Sequence, residues 1–356
     1  MTHSAATLHA LLAELRADAA RTLSRGPTVL VAGPTDAGKS SLCRHLLWHS
    51  QLQAYDSDDG GASRQHPIVF ADVDIGQGEI GLPGTIGASI VTRANFLVGS
   101  ADVDRNNDAD LAEFGANHNH PLRWLSNLHF YVGHTNMAEK SSLFKWYVKE
   151  LASRIRNKHS ADPMLAASGA VINTCGWVEG QGLALLMATI AIFQPSHVVV
   201  VGDVKLYDHL LHEQAAPHVL GLPRSHLAQR RSASYRRDAR NARLRQYFTP
   251  PSSISPSPFL VNVAIADVRL FIVVVTPHKP TQVRRVAVVE TLTRAVVAMC
   301  AAPTTADHAL ARATALGFLC IHSVNSTEKT IEFLSPRPGP LPSTHFILGQ
   351  IEWIEG

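Results

Sequence analysis

Short apolar segments alternate with amphipathic stretches over the first two thirds of the chain. Runs of β-branched and other apolar residues bounded by glycine or polar residues predict buried strands, at Thr28–Ala32, Ile68–Val73, Gly169–Asn173, His197–Gly202 and, more briefly, His129–Val132. Apolar residues at helical spacing predict helices, at Ala5–Leu23, Lys39–His49, Ser141–Asn157 and Gln181–Phe193. This alternation predicts an α/β fold, with a doubly wound, mainly parallel sheet and helices on both faces.

The composition changes near residue 249. Residues 249–258 (TPPSSISPSP) contain four prolines and four serines, which cannot continue a helix and are typical of a linker. Beyond them the pattern predicts strands, at Leu260–Val275, Arg285–Thr291, Gly317–Ser323, Lys329–Leu334 and His345–Glu352, with a hairpin at VNSTEK. We therefore expect a domain of residues 1–248, a linker of residues 249–258 and a small β-rich C-terminal domain of residues 259–356. The polar stretch of residues 53–65 predicts a surface loop.

The bulk composition excludes some classes of protein. Hydrophobic residues make up 46% of the 356 residues and charged residues 17%, which is typical of a packed globular protein and not of a disordered one. The longest apolar run, Leu183–Phe193, is too short to cross a bilayer, so we expect a soluble protein that makes no membrane contact. Four distant cysteines favour a reduced intracellular compartment, and the 19 histidines show no spacing typical of zinc.

The most specific motif is GPTDAGKS, which occupies residues 33–40. It matches GxxxxGK[ST], follows a predicted strand and begins a predicted helix, as in P-loop NTPases. Glycines let backbone N–H groups surround phosphates, and the helix N-terminus adds a partial positive charge. In this pattern Lys39 reaches the β- and γ-phosphates of a nucleoside triphosphate and the Ser40 hydroxyl ligates Mg²⁺.

Two aspartates follow the second predicted strand. Asp72 and Asp74 lie at its carboxyl end, where magnesium and an attacking nucleophile meet beside a P-loop. If the strand stays extended, alternation places both side chains on one side. One carboxylate could then hold the metal and the other could accept a proton, although aspartates at strand ends are also common turn formers.

An arginine-dense segment precedes the linker. Eight arginines lie between residues 224 and 245, against the single acid Asp238. Arg236, Arg240 and Arg243 recur at i, i+4 and i+7, so one helical face presents three guanidinium groups. Such a face suits phosphates, either as a lid that stabilises a transferred phosphoryl group or as a general RNA-binding helix.

Two loops follow predicted strands and carry candidate contacts to a substrate. NTCGW at residues 173–177 ends in Trp177, which could stack on a base or belong to the core. Gly133, His134 and Thr135 follow the short strand His129–Val132. Both loops are expected near the phosphate site, because they follow strands of the same sheet.

Together these motifs resemble the Clp-type polynucleotide 5′-hydroxyl kinases, the RNA kinase subunits of the pre-mRNA cleavage and polyadenylation machinery. The resemblance runs from about Leu8 to Glu355. It is carried by these segments: GPTDAGKSSLCRHLL, DVDIGQGEIGLPGTIGA, INTCGWVEGQG, RRDARNARLRQYF and FLSPRPGPLP.

The resemblance implies roles for particular residues. ATP would be bound by the loop and the helix start, through Gly33, Thr35, Asp36, Ala37, Gly38, Lys39, Ser40 and Ser41. Magnesium would be held by Ser40, Asp72 and Asp74. Lys39, Asp74, Arg240 and Arg243 would be catalytic, with Asp74 activating the RNA 5′-hydroxyl. The RNA end would contact Gln77, Thr135, Trp177 and Arg236.

Two features differ from the family pattern. The family's clasp usually reads Thr-Ser/Thr-Pro after the glycine, whereas His134 is followed here by Thr135, Asn136 and Met137, so only the threonine is kept. The family also carries an N-terminal β domain that helps to hold adenine. The chain starts at the helix before the P-loop, and we expect it to lack that domain.

Two functions follow from this reading. The first is an enzyme that transfers the γ-phosphoryl group of ATP to an RNA 5′-hydroxyl, in the nucleus, together with other cleavage and polyadenylation subunits. The second is a scaffold subunit that holds ATP without turnover, which the altered clasp permits. A third and weaker alternative is an unrelated P-loop ATPase or GTPase, although the guanine motif NKxD is absent.

Overall fold

The computed structural model describes most of the chain, at residues 4–52, 67–92, 128–226, 228–249, 258–276, 281–301 and 307–353. The predicted loop of residues 53–65 and most of the predicted linker lie outside these ranges. Two seven-stranded sheets are formed by the described residues, one on each side of residue 249.

The first sheet and its helices occupy residues 5–248. The helices are α1 (Ala5–Thr22), α2 (Lys39–Leu52), α3 (Ser141–Ala161), α4 (Pro163–Ser168), α5 (Gln181–Phe193), α6 (Val204–His212) and α7 (Ala233–Phe248). The strands are β1 (Thr28–Ala32), β2 (Ile68–Asp72), β3 (Thr85–Val91), β4 (Leu128–Tyr131), β5 (Ala170–Asn173), β6 (His197–Val201) and β7 (His218–Leu222).

The strand order of the first sheet is β4-β3-β2-β5-β1-β6-β7. The five strands from β2 to β7 in this order pair in parallel, whereas β3 pairs antiparallel with both β2 and β4. β1 is central, so the loop that follows it lies between the carboxyl ends of β5 and β6. This is the position at which open α/β sheets bind ligands.

Helices cover both faces of this sheet, so its strands are buried on both sides. On one face Leu8 of α1 and Leu46 of α2 pack against Val29 and Phe70. On the other face the core includes Leu30 of β1 and Tyr147 of α3, together with residues of α5 and α6. The predicted doubly wound α/β fold is confirmed.

The second sheet has the order β10-β9-β14-β11-β12-β13-β8. Its strands are β8 (Phe259–Ala264), β9 (Arg269–Val274), β10 (Gln282–Arg285), β11 (Ala295–Cys300), β12 (Ala315–Asn325), β13 (Thr330–Ser335) and β14 (His345–Glu352), with a short helix α8 (Asp307–Ala311). All its pairings are antiparallel except that of β14 with β9. The predicted hairpin at VNSTEK is the β12–β13 connection.

Direct contacts join the two sheets. The end of α7, with Leu244 and Phe248, lies in one buried cluster with Leu82 and Tyr131 of the first part and with Phe318 of β12. The phenol of Tyr131 donates a hydrogen bond of 2.7 Å to the carbonyl of Val296. The second sheet therefore supports α7 and the end of β4, both of which border the site described below.

Several strand predictions were wrong in detail. The predicted strand Leu260–Val275 is two strands, β8 and β9, because the chain turns between Ala264 and Arg269. The predicted strand Arg285–Thr291 is instead the end of β10 followed by a 3₁₀ turn at Glu290–Leu292. No helix within the described ranges is both long enough and apolar enough to cross a membrane.

Candidate functional site

The GPTDAGKS segment forms a tight loop between β1 and α2. Gly33 has a φ of 144°, and a Cβ there would lie 2.4 Å from the carbonyl oxygen of Val201. Gly38 has a φ of 100°, and Asp36 also adopts a positive φ of 60°. Only glycine tolerates the first two conformations easily, so the loop curves round with its amides at the N-terminus of α2, where anions bind.

Lys39 lies inside this loop and not in solvent. Its side chain is buried, and Nζ donates a hydrogen bond of 2.9 Å to the carbonyl of Pro34. Burial lowers the pKa of Lys39, and attraction to Asp74 opposes that effect. Lys39 begins α2, so Ser40 and Ser41 lie in the first helical turn at the mouth of the loop.

The NTCGW turn packs on the outside of the same loop. The Thr35 hydroxyl donates a hydrogen bond of 3.2 Å to the carbonyl of Gly176. A Cβ at position 176 would lie 2.5 Å from the Cα of Thr35, so only glycine allows this approach. Trp177 follows with 36% of its surface exposed, and its ring lies over Gly182 at the start of α5.

Asp72 and Asp74 have different surroundings, because β2 ends at Asp72. The Asp72 carboxylate is buried and accepts hydrogen bonds from Asp74 N at 3.0 Å, Asn173 Nδ2 at 3.1 Å and the backbone N–H of Glu79. Asp74 Oδ1 accepts from the N–H groups of the turn that follows, at Gly76 and Gln77. The strand therefore does not continue through Asp74, which is what the prediction of both side chains on one side of the strand required.

The environment of Asp72 weakens its charge. Burial and the nearby charge of Asp74 raise the pKa of Asp72 to about 7, although two backbone N–H groups oppose the shift. Both Asp72 oxygens serve protein donors, whereas the second oxygen of Asp74 has no hydrogen bond among those of the described residues. Asp74 is thus the better placed of the two carboxylates to act on a ligand.

A buried ion pair that sequence reasoning missed lies behind these aspartates. Arg44 of α2 donates from Nε and Nη2 to Glu79 Oε2, at 3.1 Å and 2.5 Å. The two side chains are only 13% and 5% exposed. Neither residue belongs to a periodic charge pattern, and the pair joins segments 35 residues apart, so no signal in the sequence reveals it.

The arginine-rich segment forms the helix α7, which we call the lid helix. The helix is capped at its N-terminus by Ser232, whose hydroxyl accepts from Tyr235 N. Arg236 Nη2 donates to Asp36 Oδ2 of the phosphate-binding loop at 2.7 Å, and the same oxygen accepts from Arg231 N at 2.9 Å. Gln77 Nε2 donates to the backbone carbonyl of Arg236 at 3.2 Å. Residues predicted to contact RNA, Gln77 and Arg236, here join the lid helix to the loops of the first sheet.

The other two arginines of the predicted face differ in exposure. Arg240 is partly buried; burial and the neighbouring arginines lower its pKa, whereas Asp74 opposes that effect. Arg243 is only 8% exposed, and its Nε and Nη1 atoms have no hydrogen-bond partner. Asp74 therefore attracts both Lys39 of the loop and Arg240 of the lid helix.

A cavity of about 410 Å³ opens between the loop and the start of the lid helix. Its lining shares a strongly cationic character, with four guanidinium groups beside the loop backbone: Pro34, Thr35, Asp36, Ala37, Gly202, Arg224, Arg230, Arg231 and Arg236. Asp36 is the only acid among the described residues that line this cavity. Such a cavity favours a polyanionic ligand.

The altered clasp segment lies beside Asp74 and is held by its own hydrogen bonds. A Cβ at Gly76 would lie 3.4 Å from Asp74 Oδ1 and 3.6 Å from the carbonyl oxygen of Thr135. His134 Nε2 and Glu139 Oε2 are 3.0 Å apart, and Asn136 Nδ2 donates to the other Glu139 oxygen at 3.2 Å. The structure therefore places Thr135 near Asp74.

Two protein-family models match the chain. The first is described as mRNA cleavage and polyadenylation factor CLP1 P-loop and covers residues 33–250. The second is described as pre-mRNA cleavage complex II protein Clp1 and covers residues 244–355. The chain belongs to the Clp1 family. The resemblance predicted from the motifs is thereby confirmed.

Individual relatives of the Clp1 family align over almost the whole chain. A "Protein CLP1 homolog" of Anopheles gambiae is 29% identical over 357 residues, which are 97% of this chain and 77% of that protein. A "Polyribonucleotide 5′-hydroxyl-kinase Clp1" of Xenopus tropicalis is 30% identical over 363 residues, with coverage of 97% and 75%. A solved structure of a Clp1p–Pcf11p complex aligns with a TM-score of 0.75, at 19% identity, over 99% of this chain and 79% of that chain. This last similarity shows the common fold.

Proposed function

We propose that the chain is an ATP-dependent polynucleotide kinase that phosphorylates the 5′-hydroxyl end of RNA. Relatives that align with nearly all of it are named polyribonucleotide 5′-hydroxyl-kinases. The observation that carries the proposal is the buried Lys39 inside the phosphate-binding loop, with the arginine-rich lid helix joined to that loop by the 2.7 Å ion pair of Arg236 and Asp36. Phosphoryl transfer needs this arrangement, because positive groups must surround the phosphorus while one carboxylate faces the attacking hydroxyl.

The residues present fit a nucleotide with magnesium. The curved loop, the amides at the start of α2 and the Lys39 ammonium together suit a triphosphate. Ser40 offers a hard oxygen donor, the kind that Mg²⁺ prefers, and this ion commonly takes only one or two protein ligands beside phosphates. Asp72 is assigned a supporting role, because its oxygens already serve three donors. Bound magnesium would shield the charge of the phosphate tail during transfer.

Each residue then has a distinct task. Lys39 leaves the carbonyl of Pro34 and binds the terminal phosphates. The second oxygen of Asp74 accepts the proton of the RNA 5′-hydroxyl, while the amides at Gly76 and Gln77 keep the first oxygen fixed. Arg240 neutralises the charge that develops on the transferred group. The half-exposed ring of Trp177 offers a surface on which the terminal base can stack.

The setting of this activity follows from the family. We assign the chain to the mRNA 3′-end cleavage and polyadenylation machinery, in the nucleus, with other cleavage factor subunits as partners. A structural neighbour is a Clp1p–Pcf11p complex, which supports a partner of that kind. The division into residues 1–248, a linker at 249–258 and residues 259–356 is part of the same proposal.

A second candidate is an ATP-binding scaffold subunit without turnover. The observation that favours it is the clasp, where His134 and Asn136 both bind Glu139 of the same segment. A ligand that binds only the folded state stabilises that state, so a P-loop can be retained for ATP binding alone.

One assay separates the two candidates. Purified protein is mixed with γ-labelled ATP and an oligoribonucleotide with a 5′-hydroxyl, and the same oligonucleotide with a 5′-phosphate serves as the control. We expect label on the first RNA only, and we expect Lys39→Ala and Asp74→Asn to reduce the rate at least about a hundredfold. Absence of transfer while ATP still binds contradicts the kinase proposal and favours the scaffold.

A further inference from the structure

Arg243 is a buried cation that the phosphate site does not explain. It lies on the lid helix one turn beyond Arg240, yet it is only 8% exposed, and its Nε and Nη1 atoms lack hydrogen-bond partners. Burying an unpaired guanidinium group is costly, so nearby opposite charge must compensate for the loss of water.

The compensating charge comes from three carboxylates. Burial lowers the pKa of Arg243, and attraction to Glu79, then Asp72, then Asp74 opposes that effect. Glu79 is the strongest of the three attractions. The charge of Glu79 is itself fixed in place, because Arg44 donates two hydrogen bonds to its Oε2 atom.

Glu79 is also tied to Asp72 and Asp74 through backbone hydrogen bonds. Its N–H donates to Asp72 Oδ2, and Asp72 Oδ1 in turn accepts from Asp74 N. A Cβ at Gly78 would lie 2.6 Å from the carbonyl oxygen of Asp74, so the loop between Asp74 and Glu79 is tightly packed. Glu79 therefore contacts the helix of the P-loop and Asp72, and the loop that carries it meets the lid helix on either side, where Gln77 donates to the carbonyl of Arg236 and Leu82 packs in one cluster with Leu244.

We propose that Glu79, held by Arg44, is a positioning residue that draws Arg243 into the interior and thereby fixes the lid helix over the phosphate site. The inference deepens the proposed kinase function. Arg243 then acts as an anchor and Arg240 as the group that meets the substrate. Fixing the helix at Arg243 also limits where Arg240, three residues earlier, can lie.

Limited trypsin digestion tests the anchor without any need for catalysis. The lid region carries exposed cleavage sites at Arg230, Arg231, Arg237 and Arg245. We expect Glu79→Gln, which removes the charge and keeps the shape, to raise the rate of cleavage in this region at least about tenfold. Glu328→Gln, at an exposed glutamate of the second sheet, is the matched control and should leave the rate unchanged.

A double variant separates positioning from general destabilisation. Arg243→Met in the Glu79→Gln background removes the unpaired cation, so it should recover part of the lost thermal stability while turnover stays low. In the kinase assay we expect Glu79→Gln to lower kcat about tenfold or more and to change the Kd for ATP less than about threefold. Arg237→Met, on the exposed side of the same helix, should change neither value.

The outcomes distinguish this inference from the proposed function. Faster lid cleavage in Glu79→Gln supports the anchor even if no variant, including the parent chain, transfers phosphate. Equal cleavage of Glu79→Gln and Glu328→Gln overturns the anchor even if the parent chain is an active kinase. A fall in thermal stability of Glu79→Gln that Arg243→Met does not partly reverse also overturns it.

Discussion

Asp36 of the phosphate-binding loop and Arg236 of the lid helix form an ion pair of 2.7 Å across 200 residues of sequence. The pair is partly shielded, with side-chain exposures of 13% and 30%. Within the described part of the chain, Asp36 is also the only acid in the lining of the arginine-rich cavity. Its negative charge therefore lies in a cavity whose arginines would attract a polyanionic ligand, and it opposes that attraction.

Replacing Asp36 should consequently speed the binding of ATP. We expect Asp36→Asn to raise the association rate at least about threefold at low salt, because it frees Arg236 and increases the net positive charge of the cavity. Asparagine tolerates the positive φ of this position, so the loop should keep its shape. Stopped-flow fluorescence with a labelled ATP analogue measures the rate, and high salt should reduce the gain. Asp238→Asn, on the exposed side of the lid helix, is the control; slower binding by Asp36→Asn contradicts the prediction.

The contact between Gly176 and Thr35 gives a prediction about shape. A methyl group at position 176 would lie 2.5 Å from the Cα of Thr35, so Gly176→Ala should push the NTCGW turn away from the loop. We expect the affinity for ATP to fall at least about tenfold, because the loop loses its support. Isothermal titration calorimetry measures the affinity. Gly180→Ala is the control for backbone strain, since no atom lies within 4 Å of that Cβ and its φ of 52° and ψ of −124° strain an alanine by roughly 1–3 kcal/mol.

The stability of the chain should depend on pH through His129. Burial lowers the pKa of His129 to about 4, and its buried Nδ1 has no hydrogen-bond partner. The unfolded chain takes up the proton near pH 6.5 and the folded chain only near pH 4, so stability present above pH 6.5 is lost as the pH falls through this window. At full extent this loss is roughly 3 kcal/mol.

A neutral side chain at position 129 should remove this loss. We expect the free energy of unfolding of His129→Gln to change less between pH 7.5 and pH 4.5 than that of the parent chain, as measured by urea denaturation. His209→Gln, at an exposed histidine of α6, should retain the parent's pH dependence. An identical pH dependence in His129→Gln and the parent chain would show that other groups govern acid stability.

Local patterns were enough to predict five of the seven strands of the first sheet and the phosphate-binding loop. The run TVLVA followed by GPTDAGKS specifies a buried strand, a turn and a helix start, and no distant contact competes with these signals. β3, β7 and β11 were not predicted. In β3 the run TIGASIV mixes glycine and alanine with branched residues, and only pairing with β2 and β4 makes it a strand.

Contacts between distant segments account for most of what the sequence did not reveal in the site. The sequence predicts that Arg236, Arg240 and Arg243 are equivalent cations on one helical face. In the structure Arg236 binds Asp36, whereas Arg243 is buried and attracted by carboxylates. Spacing along a helix defines a face but not what that face meets. The Arg44–Glu79 pair is invisible for the same reason, because two single charges in different segments carry no pattern.

Arg240 provides the sharpest remaining test of the site. It is partly buried and attracted by Asp74, whereas Arg237 of the same helix is exposed. If Arg240 stabilises the transferred phosphoryl group, Arg240→Ala should lower kcat about a hundredfold and leave the Kd for ATP within a few-fold of the parent value. Arg240→Lys should recover only part of this rate, because an ammonium group cannot make the two parallel hydrogen bonds of a guanidinium.

Arg237→Ala is the matched control. Equal rates for Arg240→Ala and Arg237→Ala would show that the lid acts through its overall charge, and Arg240 would then have no specific part in transfer.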